Sequence, residues 1–238
     1  MWSKADSQRK QNMKTTFKHI PSKGVMAFDI ETAPLDNVKE LMPPFDPAMV
    51  KLGNTKDADK VAARIEEARA NYESDFLAAA TLDARYCRVL AIGIMGENFQ
   101  MLAGDEEDKN LSAFWQLVQT LESDRRFLVG YYTHLFDLPI LIQRSWFHGI
   151  SVPAFIRVRR YWWDGSIDLH ERFQCGNREM HTGGLNGLAK FFGVQGKVQD
   201  VDGAKFHELW KSDRQKAIAY LKQDCAIVKQ ICPKMGII

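Results

Sequence analysis

Three short acidic motifs carry the chemistry this sequence could do. In Asp29-Ile30-Glu31-Thr32 the two acids are two residues apart at the end of an apolar run. Alternate strand residues face the same side, so Asp29 and Glu31 project together. Adjacent carboxylates repel, and burial raises the cost of ionising both unless a cation lies between them. Taken alone, the pair is equally a strand end fraying into a polar loop. In Phe136-Asp137-Leu138-Pro139 an acid opens a helix, which an ordinary N-cap would explain without any function. In Tyr220-Leu221-Lys222-Gln223-Asp224 the spacing of four sets Tyr220 and Asp224 on one helical face, continued by Ile227 and Ile231. An Asp on an apolar stripe is anomalous unless it is paired or binds metal. The bland alternative, an edge where Asp224 meets an Arg or Lys, suits one such acid better than three that point inward.

A fourth feature is the run Arg157-Val158-Arg159-Arg160-Tyr161-Trp162-Trp163. Arginines can follow a phosphate backbone while aromatic rings stack on bases. Core packing by one Trp with a solvated basic edge accounts equally well for any single residue of the run.

The elements that must position these groups read as an α/β layer structure. Residues 25–30 form a short apolar run opened by Gly24 and closed by the turn around Pro34, the pattern of a buried central strand. Residues 33–57, rich in Pro, Asn and Asp, predict an irregular excursion. Val61, Ile65, Ala68, Tyr72 and Phe76 recur at helical spacing and predict an amphipathic surface helix over 58–77. A hairpin is expected from 88–95 and 99–102 around Gly96-Glu97-Asn98. Helices are expected over 111–121 and 138–148, with a buried strand at 127–131 between them. Pro139 is tolerated because it falls in the first turn. A strand around Ile167, a short helix over 185–192 and a strong helix over 213–231 complete the pattern. Ser212 and Gln215 suggest a capping box at the start of the last helix, and Pro233 and Gly236 its end. Strand, hairpin, helix, strand, helix excludes a β-sandwich or a helical bundle.

Composition agrees with a folded domain. The chain has 238 residues, 45% hydrophobic and 26% charged, an ordinary globular balance that excludes wholesale disorder. Its 32 basic and 30 acidic residues give a net charge of +2, which argues against a uniformly basic coat but leaves room for a local basic groove. No stretch nears the roughly 18 apolar residues of a membrane helix, and residues 1–16 lack a signal-like apolar core. Cys87, Cys175, Cys225 and Cys232 show no CxxC spacing, so neither a zinc ribbon nor a disulfide framework is expected. A cytoplasmic protein without a membrane partner is the expectation. Residues 1–23 read as a basic tail and 24–238 as a single domain.

In their order and placement, the three motifs resemble those of the DnaQ-like, or DEDD, 3′–5′ exonucleases in the tyrosine form. The nearest likeness is to stand-alone relatives of the exonuclease domain of family-B DNA polymerases. The resemblance runs from about Val25 to Ile231. It implies a ribonuclease H-like mixed sheet flanked by helices, with a helical insertion after the first strand. The implied activity is release of nucleoside 5′-monophosphates from the 3′ ends of single-stranded nucleic acid, DNA in preference to RNA. Two divalent ions, Mg²⁺ or Mn²⁺, would serve as cofactors. Asp29, Glu31 and Asp224 would hold the one that activates water. Asp29 would bridge to the second, with Asp137 completing the pair through water, and Tyr220 would orient the attacking water. Five residues before Asp137, where relatives often carry Asn, this chain has Tyr132. Thr32, Tyr132, Phe136, Arg157, Arg159 and Trp162 complete the candidate set as substrate contacts. Any proofreading would act in trans, on a separate polymerase.

Two alternatives are weighed against this one. A haloacid-dehalogenase-like phosphatase would use Asp29 and the acids of Gly104-Asp105-Glu106-Glu107-Asp108, but it leaves Tyr220 and Asp224 unexplained. A catalytically idle nucleic-acid-binding module would be expected to have lost at least one acid, and all four are present. Gly183, Gly184 and Gly187 lack the Lys-Ser/Thr of a phosphate loop.

Overall fold

The computed structural model describes residues 24–124, 126–158, 163–197 and 203–237. The basic tail, Arg159 and Trp162 lie outside the described residues. The strands are β1 (Val25–Pro34), β2 (Cys87–Met95), β3 (Phe99–Ala103), β4 (Phe127–Gly130), β5 (Arg157–Val158), β6 (Trp163–Asp164) and β7 (Ser166–Asp168). Five of them make one mixed sheet in the order β3-β2-β1-β4-β7, while β5 and β6 pair as a separate ribbon. Within the sheet β2 runs antiparallel to both β1 and β3, and β4 and β7 run parallel to β1. This is the α/β mixed sheet expected.

Helices cover both faces, which is why β1 reads as an almost continuous apolar run. The helices are α1 (Ala58–Ala80), α2 (Glu107–Asp124), α3 (Asp137–Phe147), α4 (Leu169–Gln174), α5 (Gly184–Phe191), α6 (Phe206–Ser212) and α7 (Arg214–Lys234). One core joins Met26, Phe28 and Ile30 of β1 to Phe114 and Val118 of α2 and to Leu138 and Leu141 of α3. The other joins Val25 and Ala27 to Phe206 of α6 and to Leu221, Val228 and Ile231 of α7. Burying one such leucine contributes about 2 kcal/mol. The alternation along β1 therefore turns Asp29 and Glu31 toward the α7 layer.

Several boundaries differ from expectation, and four bear on the site. β1 continues to Pro34 because β2 keeps pairing with it, past a bulge between Glu31 and Thr32, as far as Pro34 opposite Cys87. The acids thus sit inside a paired strand, not at a frayed end. β4 stops at Gly130, and Tyr132 then adopts φ 62°. The cap of α7 is Asp213, whose carboxylate accepts from the Lys216 amide (3.0 Å), not the expected Ser212. Ser212 closes α6 instead, its hydroxyl donating to the Glu208 carbonyl (2.9 Å). At its other end α7 runs through Pro233 to Lys234, and Gly236 (φ 66°) turns the chain so that the Ile237 amide reaches the Cys232 carbonyl (3.0 Å).

The insertion between β1 and β2 largely packs on itself. Val61, Ile65, Ala68, Tyr72 and Phe76 form the half-buried face of α1 that their spacing predicts. The Tyr72 hydroxyl donates to the Pro43 carbonyl (2.9 Å), and its ring meets Phe45 edge-on. Between α2 and α3 a buried polar knot fixes the opposite layer. Glu107 accepts from Arg144 (2.6 and 3.0 Å), from the Val89 amide (2.7 Å) and pairs with His148 (2.8 Å). Burial alone would raise the Glu107 carboxyl, but these hydrogen bonds hold it below the usual carboxylate range. All four cysteines are free. Among the described residues no helix is long and apolar enough to cross a membrane.

Candidate metal centre

Asp29 lies opposite Gly93 in the β1–β2 register. That glycine decides how near α7 comes to the sheet. A Cβ there would lie 2.7 Å from Leu221 Cγ and 2.8 Å from Cys225 Sγ, so only glycine lets the helix settle at this depth. At that depth Asp224 meets the acids of β1. One carboxylate oxygen from each of Asp29, Glu31 and Asp224 lies within 4.8 Å of the others. Glu31 and Asp224 are only 7% and 4% exposed.

Asp137 arrives from the other helical layer. Parallel pairing between β1 and β4 stops at Ala27 and Val129, which leaves the next edge amides of β1 without a strand partner. One of them, Ile30 N–H, donates to Asp137 Oδ1 (3.0 Å). The N-cap explanation for Asp137 therefore fails: Phe136 holds the cap position without a side-chain bond, and the 3% exposed Asp137 carboxylate reaches across to β1. The loop that aims it is braced by Asp168. That carboxylate accepts from the amides of Tyr132 and His134 (both 3.0 Å) while capping α4 through His170 N–H (2.8 Å). His134 is a structural part of this brace, bridging Glu171 (2.7 Å) and Ser166 (3.0 Å).

Crowding of like charges in a dry site governs the electrostatics. Burial, then the charges of Asp137 and Asp224, pushes the Asp29 carboxyl well above its ordinary range; burial, Asp29 and Asp224 do the same to Glu31. Asp137 is pushed up to about 7 by burial, with the Ile30 amide pulling the other way. Burial also raises Asp224, against the opposing pull of Lys197. The Tyr220 phenol is raised by burial and by the three nearby carboxylates, so it stays protonated.

Among the described residues, one cation reaches the cluster. Lys197 Nζ donates to Asp224 Oδ2 (2.5 Å) and to the Tyr220 hydroxyl oxygen (2.7 Å), and it lies 4.3 Å from the centre of the Tyr220 ring. Asp224 Oδ1 is buried with no hydrogen-bond partner among the described residues. A clustered, all-oxygen donor set with one orphaned carboxylate oxygen fits a hard divalent cation such as Mg²⁺ or Mn²⁺, and it does not fit a thiophilic one.

The remaining candidates are spread around this centre. Thr32 is buried, and its hydroxyl donates to the Thr81 carbonyl (2.6 Å). Tyr132 is 44% exposed, its ring edge-on to His170. Phe136 is half-buried against the α2–α3 core. Arg157 is exposed on the β5–β6 ribbon. The acids of 104–108 take other parts: Asp105 pairs at the surface with Arg88 (3.2 Å), and Glu107 is consumed by the buried knot.

Three residues of the site escape a reading of motifs. Gly93 interrupts an apolar strand, the usual sign of close backbone approach, and could have been found. Asp168 precedes a helix with Glu171 three residues on, so its capping role was readable but its hold on the Tyr132 loop was not. Nothing in the sequence singles out Lys197.

Comparison with known proteins bears on the fold and the family. Over 89% of its length the chain is similar to a family B DNA polymerase from the hyperthermophilic archaeon Pyrobaculum calidifontis, with a TM-score of 0.55 and 19% identity. It spans 24% of that polymerase, and the likeness is one of fold, the ribonuclease H-like arrangement of the exonuclease domain. No curated protein sequence matches the chain. A family model described as "Predicted 3′-5′ exonuclease related to the exonuclease domain of PolB" matches residues 76–227, a stretch that contains Asp137, Tyr220 and Asp224. With most of its length under that match and its sheet and helices in the same arrangement, the chain belongs to the family of predicted 3′–5′ exonucleases related to the PolB exonuclease domain.

Proposed function

We propose that this protein is a metal-dependent 3′–5′ exonuclease that removes nucleoside 5′-monophosphates from single-stranded ends, DNA in preference to RNA. The observation that carries the reading is the convergence of Asp29, Glu31 and Asp224 within 4.8 Å, with the buried Asp137 facing the same strand. Four carboxylates in a dry pocket are tolerable together when two divalent cations balance them. Such ions, when bound, supply a water of lowered pKa and relieve charge on the departing 3′-oxygen.

The chain's own groups do the rest. Asp29, Glu31 and Asp224 present oxygens to one position, and Asp137 approaches from the opposite side of β1. The protonated Tyr220 phenol offers a hydrogen-bonding group beside Asp224 that can orient the attacking water. Water attacks the terminal phosphorus, the bond to the preceding 3′-oxygen breaks, and that oxygen leaves as a new 3′ end. Partial exposure of Tyr132 beside the Asp137 loop supports a role for its ring against the terminal base. Proofreading by this chain would act in trans for a separate polymerase.

The test uses one oligonucleotide labelled in turn at its 3′ and 5′ ends, with Mg²⁺ or Mn²⁺. The 3′ label should leave as a mononucleotide while the 5′ label passes down a ladder. Asp29→Ala and Asp224→Ala should each lose about 100-fold or more, since even outer-sphere partners of a metal are worth about 10- to 100-fold. Full activity in either variant removes the site assignment. Strand binding without cleavage by the wild-type chain would make it an idle binding module.

A further inference from the structure

We propose that Lys197 is a tethered counter-ion of the acid cluster, holding Asp224 and Tyr220 in place before metal arrives and giving up Asp224 Oδ2 when it does. The inference rests on the reading that this pocket takes a divalent cation. Its basis is the position of the lysine. The Lys197 amide donates to Asn186 Oδ1 (2.8 Å) on α5, and the neighbouring Gly196 carbonyl accepts from Gln223 Nε2 (2.9 Å) on α7. The backbone is thereby pinned at two points, and the flexible four-carbon stem carries the ammonium into the pocket.

Two of the three ammonium protons are spent on Asp224 Oδ2 (2.5 Å) and the Tyr220 oxygen (2.7 Å). A divalent ion first meets the unpartnered Asp224 Oδ1, and an ammonium and that ion on one carboxylate repel strongly in a pocket of low dielectric. Loading therefore pushes the ammonium off Oδ2. Its withdrawal also frees the Tyr220 oxygen, so the residue that would orient water becomes available only once the pocket is charged. Before loading, one positive charge serves several carboxylates and keeps α7 on β1. This contact sets an order of events: metal enters, Lys197 leaves, Tyr220 turns to water.

The experiment compares Mn²⁺ binding by calorimetry in the wild-type chain and in Lys197→Met. The variant should bind Mn²⁺ about tenfold more tightly, as loss of one competing charge at contact distance demands, and its metal-free form should melt at a lower temperature. A second measurement keeps the native sequence: amine acylation followed by peptide mass spectrometry. Lys197 should label several-fold faster with saturating Mn²⁺ than in EDTA. Equal or weaker Mn²⁺ affinity in Lys197→Met, or labelling that Mn²⁺ leaves unchanged, overturns the tether and leaves the metal site standing. A wild-type chain that takes up no Mn²⁺ overturns both.

Discussion

Asp137 offers the sharpest test of the electrostatics, through Asp137→Asn. The amide oxygen of Asn can still accept from Ile30 N–H, the bond Asp137 makes at 3.0 Å, so the change removes charge and little else. The carboxyl stands at about 7 in the fold against an ordinary 3.8. Between those values the native state holds a proton that the unfolded chain has released. Stability therefore falls as pH rises through this window, and the whole penalty is in force above about pH 7. A rise from 3.8 to about 7 corresponds to roughly 4 kcal/mol at about 1.4 kcal/mol per tenfold change in proton affinity. For a chain of this size that is a shift of about 10 °C in melting temperature. The assay is thermal or urea unfolding in EDTA across pH 4.5 to 8.5. The variant should match the wild type to within about 1 kcal/mol at pH 4.5 and exceed it by about 4 kcal/mol at pH 8.5. Asp29, Glu31 and Asp224 still titrate in the variant, so the difference between the two curves, not either curve alone, reports on Asp137. Parallel curves would mean that this carboxylate is not confined among the others, and the account of the pocket would fail.

Other outcomes follow from the same structure. Millimolar Mg²⁺ or Mn²⁺ should raise the wild-type stability by about 2.7 kcal/mol at a hundredfold excess over the dissociation constant, and a melting curve that ignores both metals speaks against a built site. Gly93→Ala drives a methyl into Leu221 and Cys225. It should lower stability by about 1–3 kcal/mol and reduce cleavage by lifting Asp224 off β1; a fully active, fully stable variant contradicts the close approach. Glu107→Ala strands the Arg144 guanidinium in the interior and should cost about 3–5 kcal/mol by urea denaturation, with no altered metal affinity per folded molecule by calorimetry. Tyr220→Phe should retain Mn²⁺ binding while slowing single-turnover cleavage, and an unchanged rate would exclude the phenol from water placement.

The layer architecture and the acids were legible because both rest on local pattern. The short apolar run of 25–30 and period 3.6 in 58–77 and 213–231 need no knowledge of the rest of the chain. Asp224 betrayed itself by sitting between Tyr220 and Ile227 on an apolar stripe. What could not be read is whatever depends on partners far away in sequence. The extension of β1 to Pro34 is imposed by β2, which pairs with it beyond a bulge no local signal marks. Asp137 looked like a helix cap because its true partner, the Ile30 amide, is 107 residues distant. Lys197 is one lysine among many until the fold sets its ammonium on Asp224.

The short reach of β4 has one more consequence. Where most central-strand amides are locked by a neighbouring strand, the Ile30 amide is locked by a carboxylate that belongs to the site itself. Its deuterium exchange is thus a built-in gauge of whether Asp137 is seated. Followed by NMR or mass spectrometry as metal or nucleotide is added, that single backbone proton would register rearrangement at the centre of the sheet without any label being introduced.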